Sequence, residues 1–449
     1  MHPLLAIWLA FAAYGACAIV LVQFWVLPVL APGLHAGQGL LAGTDAIGYH
    51  AIAKALAESM HVSGWSAWTL APQGHTAAGL AAPFYYLLGS SPASLIPLNA
   101  ALHATGGILV VYLLRQFGTG LLSAAAAASL WIAFPSSLQW VTQISKDGFF
   151  FAGMLGALLG WTMMLYHLKP GAVTARIYCG AGLLICGTLI AGVVRQYAFQ
   201  LLLLPACAFA LLCIPPLVRK ARDEPSASWH CMAIAGIALI MPLALAAAPR
   251  DIRIEPTPVA AGVSSAGTGT AKTEITTGKN WQSSADMPAI IDRALARLAI
   301  ARGAYASETY KAAGSMIDLD RQFYSAADVV AYLPRALQIG LLAPFPSQWF
   351  TQGTSPGGTT MRIVAGVEML IIYPMLLLGL PLAILRWHRQ LEYWFATGCC
   401  VYLIVTYAMV TPNLGSLYRM RYGYLMTLAA TGGAAIFTTL QERRRRREP

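Results

Sequence analysis

Six charged residues stand where this strongly apolar chain should carry almost no charge, near the ends of predicted membrane-spanning helices. They are Asp45, Lys146, Asp147, Arg195, Arg419 and Arg421. A charge at such a position is costly, so it usually lines a polar cavity, contacts a charged ligand or extends into lipid headgroups. Carboxylates serve as general bases, and guanidinium and ammonium groups bind phosphate. The set therefore indicates a site that combines a base with an anion-binding group.

Asp45 lies in the segment GTDAIGYH, about fifteen residues beyond the first apolar block. One interpretation is a general base at the water-facing mouth of a membrane cavity. The other is an N-cap for the Ala-rich helix that follows, because Asp is a favoured capping residue. Tyr49 and His50 lie one turn further on and are candidates for contacting a substrate there, although His50 also suits an interfacial polar position.

Lys146 and Asp147 lie in the turn QISKDGFF, just before the fourth predicted span. Ser145 is predicted to cap this helix, and Asp147 in its first turn would be stabilised by the helix dipole. Lys146 is a cation at a positive helix end, which is better placed beside an anion such as a phosphate. Both the capping and the phosphate-binding interpretation remain open.

Three arginines follow on the same predicted side of the membrane. Arg195 lies between the fifth and sixth spans, while Arg419 and Arg421 precede the tenth, flanked by Tyr418 and Tyr422. One interpretation is that they extend to headgroups. The other is that they bind a phosphate or diphosphate through charge-assisted, two-point hydrogen bonds.

The composition predicts an all-α, polytopic membrane protein. Hydrophobic residues make up 57% of the chain and charged residues 10%, with a mean hydropathy of +0.61. Apolar blocks approach the roughly 20 residues that cross a bilayer. About ten spans are predicted, near residues 4–30, 91–114, 121–134, 148–168, 177–194, 198–217, 229–248, 365–385, 393–411 and 423–440.

Lys and Arg in the short loops predict the orientation. Successive short loops lie on opposite sides of the membrane, and the basic residues concentrate on one side, which is taken as cytoplasmic. This side holds residues such as Arg115, Lys169, Arg219 and the Arg443–Arg447 run. Both termini then lie in the cytoplasm, and the first apolar block is expected to be a retained span. The net charge of +11 therefore gives no indication of nucleic-acid binding. The Arg run is predicted to anchor the topology and to contact anionic membrane lipids, and no nucleic-acid partner is predicted.

Two long segments are predicted outside the membrane, residues 31–90 and 249–364. The domain prediction is a membrane module over 1–248, an outer segment over 249–364 and a second membrane module with a basic tail over 365–449. Within the outer segment, residues 255–280 are expected to form a mobile loop. A helix is expected after Pro288, and Ser325 with Asp328 forms a capping-box pattern before the next helix.

The eight cysteines all fall inside predicted spans, which excludes disulfides that staple an outer loop. No CxxC motif or His/Cys spacing indicates a metal site. No cofactor is therefore predicted, and a divalent metal is left open.

The chain resembles the GT-C superfamily of integral-membrane glycosyltransferases, which use polyprenyl-phosphate-linked sugars. The resemblance covers the topology, Asp45 in the first outer loop, Asp147 in SKDG of the second, and the arginine of RQYAFQLLLLP. Many members have two adjacent acids in the first loop, whereas here the acid after Asp45 is Glu58. Segments NLGSLYRMR and APFPSQW also look like parts of bacterial surface-polysaccharide proteins.

The resemblance implies an enzyme in the bacterial inner membrane, with an inverting outcome expected. It would transfer a sugar from a polyprenyl-phosphate-linked donor to a glycan, lipid or protein acceptor on the outer face. The first-loop carboxylate, here Asp45, would activate the acceptor, and Arg195, Arg419 and Arg421 would hold the lipid phosphate. If Asp45 lies far from these arginines, Asp147 becomes the candidate base.

Two alternatives remain. A polysaccharide polymerase or ligase that uses lipid-diphosphate glycans would depend on Arg419 and Arg421 more than on Asp45. A flippase or transporter of a lipid-linked sugar should place ionisable residues near the bilayer midplane. In the sequence the midplane candidates are few, chiefly Asn99 and His103, and no internal repeat is visible. The scarcity of such residues favours an enzyme.

Overall fold

A computed structural model describes residues 2–169, 176–223, 228–248, 281–284, 286–306, 315–353 and 356–446. The structure is 82% helical, and the described part contains no strands, which confirms the all-α prediction. The predicted mobile loop at 255–280 lies outside the described residues.

Sixteen α-helices of the described residues are used below. They are α1 Pro3–Leu21, α2 Ala46–Ser63, α3 Thr76–Leu88, α4 Ile96–Gln116, α5 Leu121–Ala133, α6 Pro135–Val141, α7 Asp147–His167, α8 Arg176–Val194, α9 Ala198–Asp223, α10 Ser228–Ala247, α11 Ala289–Tyr305, α12 Ala326–Leu342, α13 Pro356–Pro374, α14 Leu380–Trp387, α15 Leu391–Val410 and α16 Leu414–Arg445. A π-helical stretch, Val22–Leu30, extends α1, and another, Met375–Gly379, joins α13 to α14.

The chain is a multi-pass membrane protein. Among the described residues, nine helices are long and apolar enough to cross a bilayer, or ten if the bent pair α5 and α6 counts as one span. The pair bends by 61° at Phe134, directly before Pro135, because the residue before a proline avoids helical geometry. All eight cysteines are unbonded thiols within candidate spans, as predicted.

The last span differs from the prediction, because α16 begins at Leu414 and not near residue 423. The side chain of Asn413 accepts a hydrogen bond from the backbone N–H of Ser416 at 3.0 Å, which caps the helix start. Arg419 and Arg421 therefore lie inside the helix. The charges of Arg419 and Arg421 predicted a loop at these positions. The capping hydrogen bond of Asn413 instead lets the helix begin before them.

Glycines allow α7 and α8 to lie in close antiparallel contact. A Cβ added to Gly160 would lie 2.5 Å from the carbonyl oxygen of Gly180, and one added to Gly153 would lie 2.7 Å from that of Gly187. Small residues at helix contacts let membrane helices approach closely and pack by van der Waals attraction. The start of α7 is consequently held beside the end of α8.

The chain is organised as two compact units, each built from separate stretches of sequence. The first consists of Met1–Ala261, Met375–Cys399 and Thr427–Pro449, and the second of Gly262–Pro374 and Cys400–Met426. Residues of the last two spans thus contribute to both units.

In the second unit, the buried Arg302 of α11 ties the outer segment to the end of a span. Its guanidinium donates to the carbonyl oxygens of Arg321 at 2.7 Å, Asp318 at 2.8 Å and Met409 at 2.8 Å. Met409 lies in the last turn of α15, where carbonyl groups lack partners within the helix. The capping box of α12 is present as predicted, with Ser325 and Asp328 exchanging hydrogen bonds.

The basic residues of the short loops predict that residues 31–90 and 249–364 lie on the outer, periplasmic side of the inner membrane. Cysteines introduced at Ser66 and Ser283, in a protein without its native cysteines, should react with a maleimide that reaches the periplasm but does not cross the inner membrane. A cysteine at Arg389 should react only after permeabilisation. Labelling of Ser66 that requires permeabilisation would contradict this topology.

Candidate functional site

Asp147 and Arg195 form a buried ion pair in the first unit. Asp147, in the first turn of α7, is fully buried, and its Oδ1 atom lies 2.5 Å from Nη2 of Arg195. Arg195 is 9% exposed and lies in the short link between α8 and α9. The α7–α8 contact brings them together across 48 positions of sequence. Charged side chains are rare inside membrane proteins, and those that occur are usually paired and functional. The buried Asp147–Arg195 pair is therefore a candidate for the functional site.

Neighbouring side chains fix the orientation of both partners. The Ser145 hydroxyl donates to Oδ2 of Asp147 at 2.5 Å and accepts from the Asp147 backbone N–H at 3.1 Å. The N-cap position of α7 is occupied by Lys146, so Ser145 orients Asp147 from one residue before the helix cap. Nη1 of Arg195 donates to the Tyr197 hydroxyl at 3.1 Å. The guanidinium also lies over the ring of Phe150, 4.7 Å from its centroid, which adds a cation–π attraction.

Gln143 fastens the first outer loop to the turn that carries Asp147. Its buried Oε1 accepts from the backbone N–H of Leu41 at 2.9 Å, and its Nε2 donates to the carbonyl oxygen of Gly39 at 3.2 Å. Gly39 has a φ of +77°, and a Cβ there would lie 2.7 Å from that of Gln23. Only glycine fits this tight approach, so the loop that leads to Asp45 is fixed beside the α6–α7 turn.

A hydrophobic core strengthens the same connection. Ile144, the residue after Gln143, belongs to a buried cluster that includes Ala46 and Tyr49 of α2. Because Ala46 directly follows Asp45, the start of α2 and the Asp147 turn belong to one packed body.

Asp45 occupies the N-cap position of α2, but its side chain makes no capping hydrogen bond. Its carboxylate, which is half-buried, makes no hydrogen bond or ion pair to the described part of the chain. The capping interpretation therefore accounts for its position but not for its chemistry. A carboxylate without a protein partner at this position is suited to contact a substrate.

The other residues predicted for the first unit occupy different surroundings. Lys146 is half-buried, directly before α7. Tyr49 is buried with its ring 5.6 Å from that of His75, and substrate contact by Tyr49 stays a prediction. His50 is half-buried, and its Nδ1 atom lies 2.8 Å from the hydroxyl of Tyr85.

Burial, with a smaller contribution from Lys54, lowers the pKa of His50 below its ordinary value of 6.5. The unfolded chain then binds more protons than the folded chain, so stability falls as pH drops below 6.5. His50→Gln should reduce the loss of melting temperature between about pH 7 and pH 5. His388→Gln, at an exposed position, is the control, and an unchanged pH dependence in His50→Gln would contradict the assignment.

In the second unit, Arg421 has a partner set that the sequence did not suggest. It is 1% exposed, and its guanidinium donates to the carbonyl oxygens of Ile339 at 2.6 Å, Gly340 and Ala343. These carbonyls belong to the end of α12, so Arg421 caps that helix in the manner expected of cations at helix C-termini. Phosphate binding by Arg421 stays a prediction, and it would require Arg421 to leave these carbonyls. Arg419, two residues earlier, is half-buried.

Replacement of Arg421 by Lys should destabilise the protein, because an ammonium group cannot reproduce the planar, multi-point contact with three carbonyls. We expect the free energy of unfolding to fall by about 2–3 kcal/mol, the contribution of one or two charge-assisted hydrogen bonds. Arg419→Lys should change stability by less than about 0.5 kcal/mol but lower transfer activity if Arg419 binds phosphate. Thermal unfolding in detergent measures the first effect, and an unchanged melting temperature in Arg421→Lys would contradict it.

Two buried residues near the predicted ones, Gln143 and Glu368, were not predicted from the sequence. Gln143 looked like one polar residue in a turn, and nothing in its local pattern indicates contacts more than 100 positions away. Glu368, in the α13 span, is 3% exposed and accepts a hydrogen bond of 2.7 Å from the Tyr418 hydroxyl. A single acid within an apolar block was the available signal for Glu368.

Within the described ranges, no group of three or more His, Cys, Asp or Glu side chains is placed to hold a metal ion. The fold and its apolar helices define the chain as a polytopic, all-helical membrane protein. No protein-family model, curated protein or solved structure matches it.

Proposed function

We propose that this protein is a membrane glycosyltransferase that moves a sugar from a polyprenyl-phosphate-linked donor to a glycan, lipid or protein acceptor at the outer face of a bacterial inner membrane. The observation that carries the proposal is the packing of the Asp45 loop against the turn of the Asp147–Arg195 ion pair. The Asp45 carboxylate, which makes no capping hydrogen bond, thus belongs to the same packed body as the buried Arg195 and the half-buried Lys146.

Glycosyl transfer makes two demands on such a site. The acceptor hydroxyl must lose a proton as it attacks, and the leaving phosphate must be stabilised as its charge grows. Asp45 is proposed as the base, since its half-buried carboxylate is not occupied by a capping bond. As the new carbon–oxygen bond forms, the acceptor proton passes to Asp45 and the polyprenyl phosphate leaves with the electrons of the broken bond.

Arg195 and Lys146 are proposed to bind the donor phosphate. The ion pair with Asp147 and the hydrogen bond to Tyr197 hold the Arg195 guanidinium in one orientation, and a fixed cation stabilises developing charge without reorganisation. Lys146 adds a cation at the α7 N-terminus, where the helix dipole also favours an anion. In this proposal Asp147 orients Arg195, and Arg419 is a further phosphate-binding candidate within the second unit.

A flippase for lipid-linked sugars is the second candidate, and Glu368 favours it. A buried carboxylate inside an apolar span is the kind of residue that marks transport pathways. The two functions differ in product. A flippase moves a fluorescent or labelled lipid-linked sugar across a proteoliposome membrane without cleaving it, whereas a transferase releases polyprenyl phosphate.

Mass spectrometry of a deletion strain tests the proposed function. Loss of the transferase should remove a sugar from a surface glycan, lipid or protein, while the lipid-linked donor accumulates. A polymerase or ligase would instead leave short glycans on lipid diphosphate. Unchanged glycans and unchanged lipid-linked intermediates would contradict the transferase, the polymerase or ligase, and the flippase alike.

A further inference from the structure

A small cavity lies beside the Ser145–Asp147 turn, at the outer end of α4 as the predicted topology places it. Its volume is about 20 Å³, and its walls combine aromatic and polar side chains. The lining residues are Asn99, Leu102, His103, Trp131, Trp140, Val141, Ser145, Gly148 and Phe151. Roughly 10–15 Å³ of such space holds one water molecule, provided that two or more polar partners face it.

His103 supplies one of these partners. It is 4% exposed, and its Nε2 atom lies 3.2 Å from the carbonyl oxygen of Ile132. A carbonyl oxygen only accepts, so Nε2 carries the proton in the neutral ring and Nδ1 is an acceptor. Nδ1 makes no hydrogen bond within the described residues. Because His103 lines the cavity, a ligand there that donates a hydrogen bond can satisfy this acceptor.

Asn99 supplies a second acceptor. Its Nδ2 atom donates to the carbonyl oxygen of Gln143 at 3.1 Å, which directs the amide. Its Oδ1 atom has no hydrogen-bond partner in the part of the chain that the structure describes. A water molecule can donate to both acceptors in a space of this size, and a ligand hydroxyl can donate its single proton to one of them. A carbonyl or carboxylate ligand, which only accepts, can donate to neither.

We propose that this cavity is a subsite for one hydroxyl group of a carbohydrate substrate, occupied by a water molecule when no substrate is bound. The inference rests on the proposed transferase function. The rings of Trp131, Trp140 and Phe151 give the cavity apolar walls, while His103 or Asn99 accepts the hydroxyl proton. Ser145 places the subsite one hydrogen bond from Asp147.

The subsite accounts for two polar residues that the transferase mechanism does not otherwise use. A substrate hydroxyl that enters the cavity displaces the water and keeps a hydrogen bond to one of the two acceptors. A sugar that lacks this hydroxyl does not make that hydrogen bond, and sites built to bind a hydroxyl discriminate against such analogues. The cavity is thus inferred to set which sugar is used.

Electron cryo-microscopy of the full-length protein in lipid nanodiscs, at a resolution that shows waters, tests the subsite without reference to activity. One peak is expected within hydrogen-bond distance of His103 Nδ1 and Asn99 Oδ1, and His103→Leu should lose it. An empty cavity in the wild-type protein would overturn the inference, whatever reaction the protein catalyses.

Steady-state kinetics identify the substrate that occupies the subsite. His103→Leu should raise KM by about tenfold, the effect of one hydrogen bond, for the donor or for the acceptor, with a smaller change in kcat. His103→Gln, which keeps an acceptor, should recover part of the loss. His167→Leu is the matched control. His167 is as buried as His103, but it is the last residue of α7, whereas the cavity is lined by Gly148 and Phe151 at the start of that helix.

A rise in the donor KM assigns the hydroxyl to the transferred sugar, and a rise in the acceptor KM assigns it to the acceptor. If His103→Leu has the same donor KM and the same acceptor KM as the wild-type protein, the subsite is overturned even if the water peak is present. Absence of any transfer by the wild-type protein would instead refute the proposed function, leaving the water peak as the separate test of the cavity.

Discussion

Asp147→Ala and Arg195→Ala are each expected to destabilise the protein by about 3–5 kcal/mol, the cost of leaving one member of a buried ion pair without its partner. Both side chains are buried, and Nη2 of Arg195 lies 2.5 Å from Oδ1 of Asp147. The double variant Asp147→Leu/Arg195→Leu should lose less stability than either single variant, because it leaves no isolated buried charge. Chemical unfolding in detergent or thermal unfolding in nanodiscs measures these differences.

The exposed ion pair between Arg386 and Glu442 is the matched control. Its side chains are 32% and 47% exposed, and exposed pairs contribute only about 0–1 kcal/mol. Glu442→Ala should therefore have a much smaller effect than Asp147→Ala. Equal effects at the two sites would show that the Asp147–Arg195 pair is not the buried structural element described above.

Asp45→Asn is expected to lower the rate of sugar transfer by about 10²–10⁴-fold, the usual contribution of a general base. The amide has nearly the shape of the carboxylate but cannot accept a proton. Stability should change by less than about 0.5 kcal/mol, because the Asp45 side chain makes no capping bond. Transfer assays with melting temperatures for the same preparations separate the two effects.

Glu58→Gln provides the comparison for Asp45. Glu58 lies in the same helix, carries the same charge in solution and is exposed. Its amide variant should transfer sugar at the wild-type rate. A loss of activity in Glu58→Gln as large as that in Asp45→Asn would mean that the assay responds to the charge of α2 and not to a base at Asp45.

The spans were predictable because the bilayer imposes a strong length requirement on apolar sequence. The Ser325–Asp328 capping box was predictable because its partners are three residues apart. The role of Arg421 was not, because its partners are carbonyl oxygens about eighty positions away and every backbone looks alike in sequence. A basic residue near a helix end fits a phosphate clamp or a helix cap equally well until the third dimension is known.

The same limit applies to the candidate site. The sequence placed Asp147 and Arg195 on the outer side, but their pairing depends on the close glycine contacts of α7 and α8. Gln143 is the clearest case, since its contacts with Gly39 and Leu41 arise only when the first loop folds back onto the α6–α7 turn. Residue types indicated the chemistry, and packing decided which residues meet.

The most direct test of the central claim uses purified protein in nanodiscs and a lipid extract from the deletion strain, in which the donor should accumulate. Mass spectrometry follows the conversion of polyprenyl-phosphate-linked sugar to polyprenyl phosphate. The wild-type protein should consume the donor when acceptor is supplied, and correctly folded Asp45→Asn should leave it almost untouched. An unchanged donor in the presence of wild-type protein, or equal conversion by Asp45→Asn, would contradict a transferase that uses Asp45 as its base.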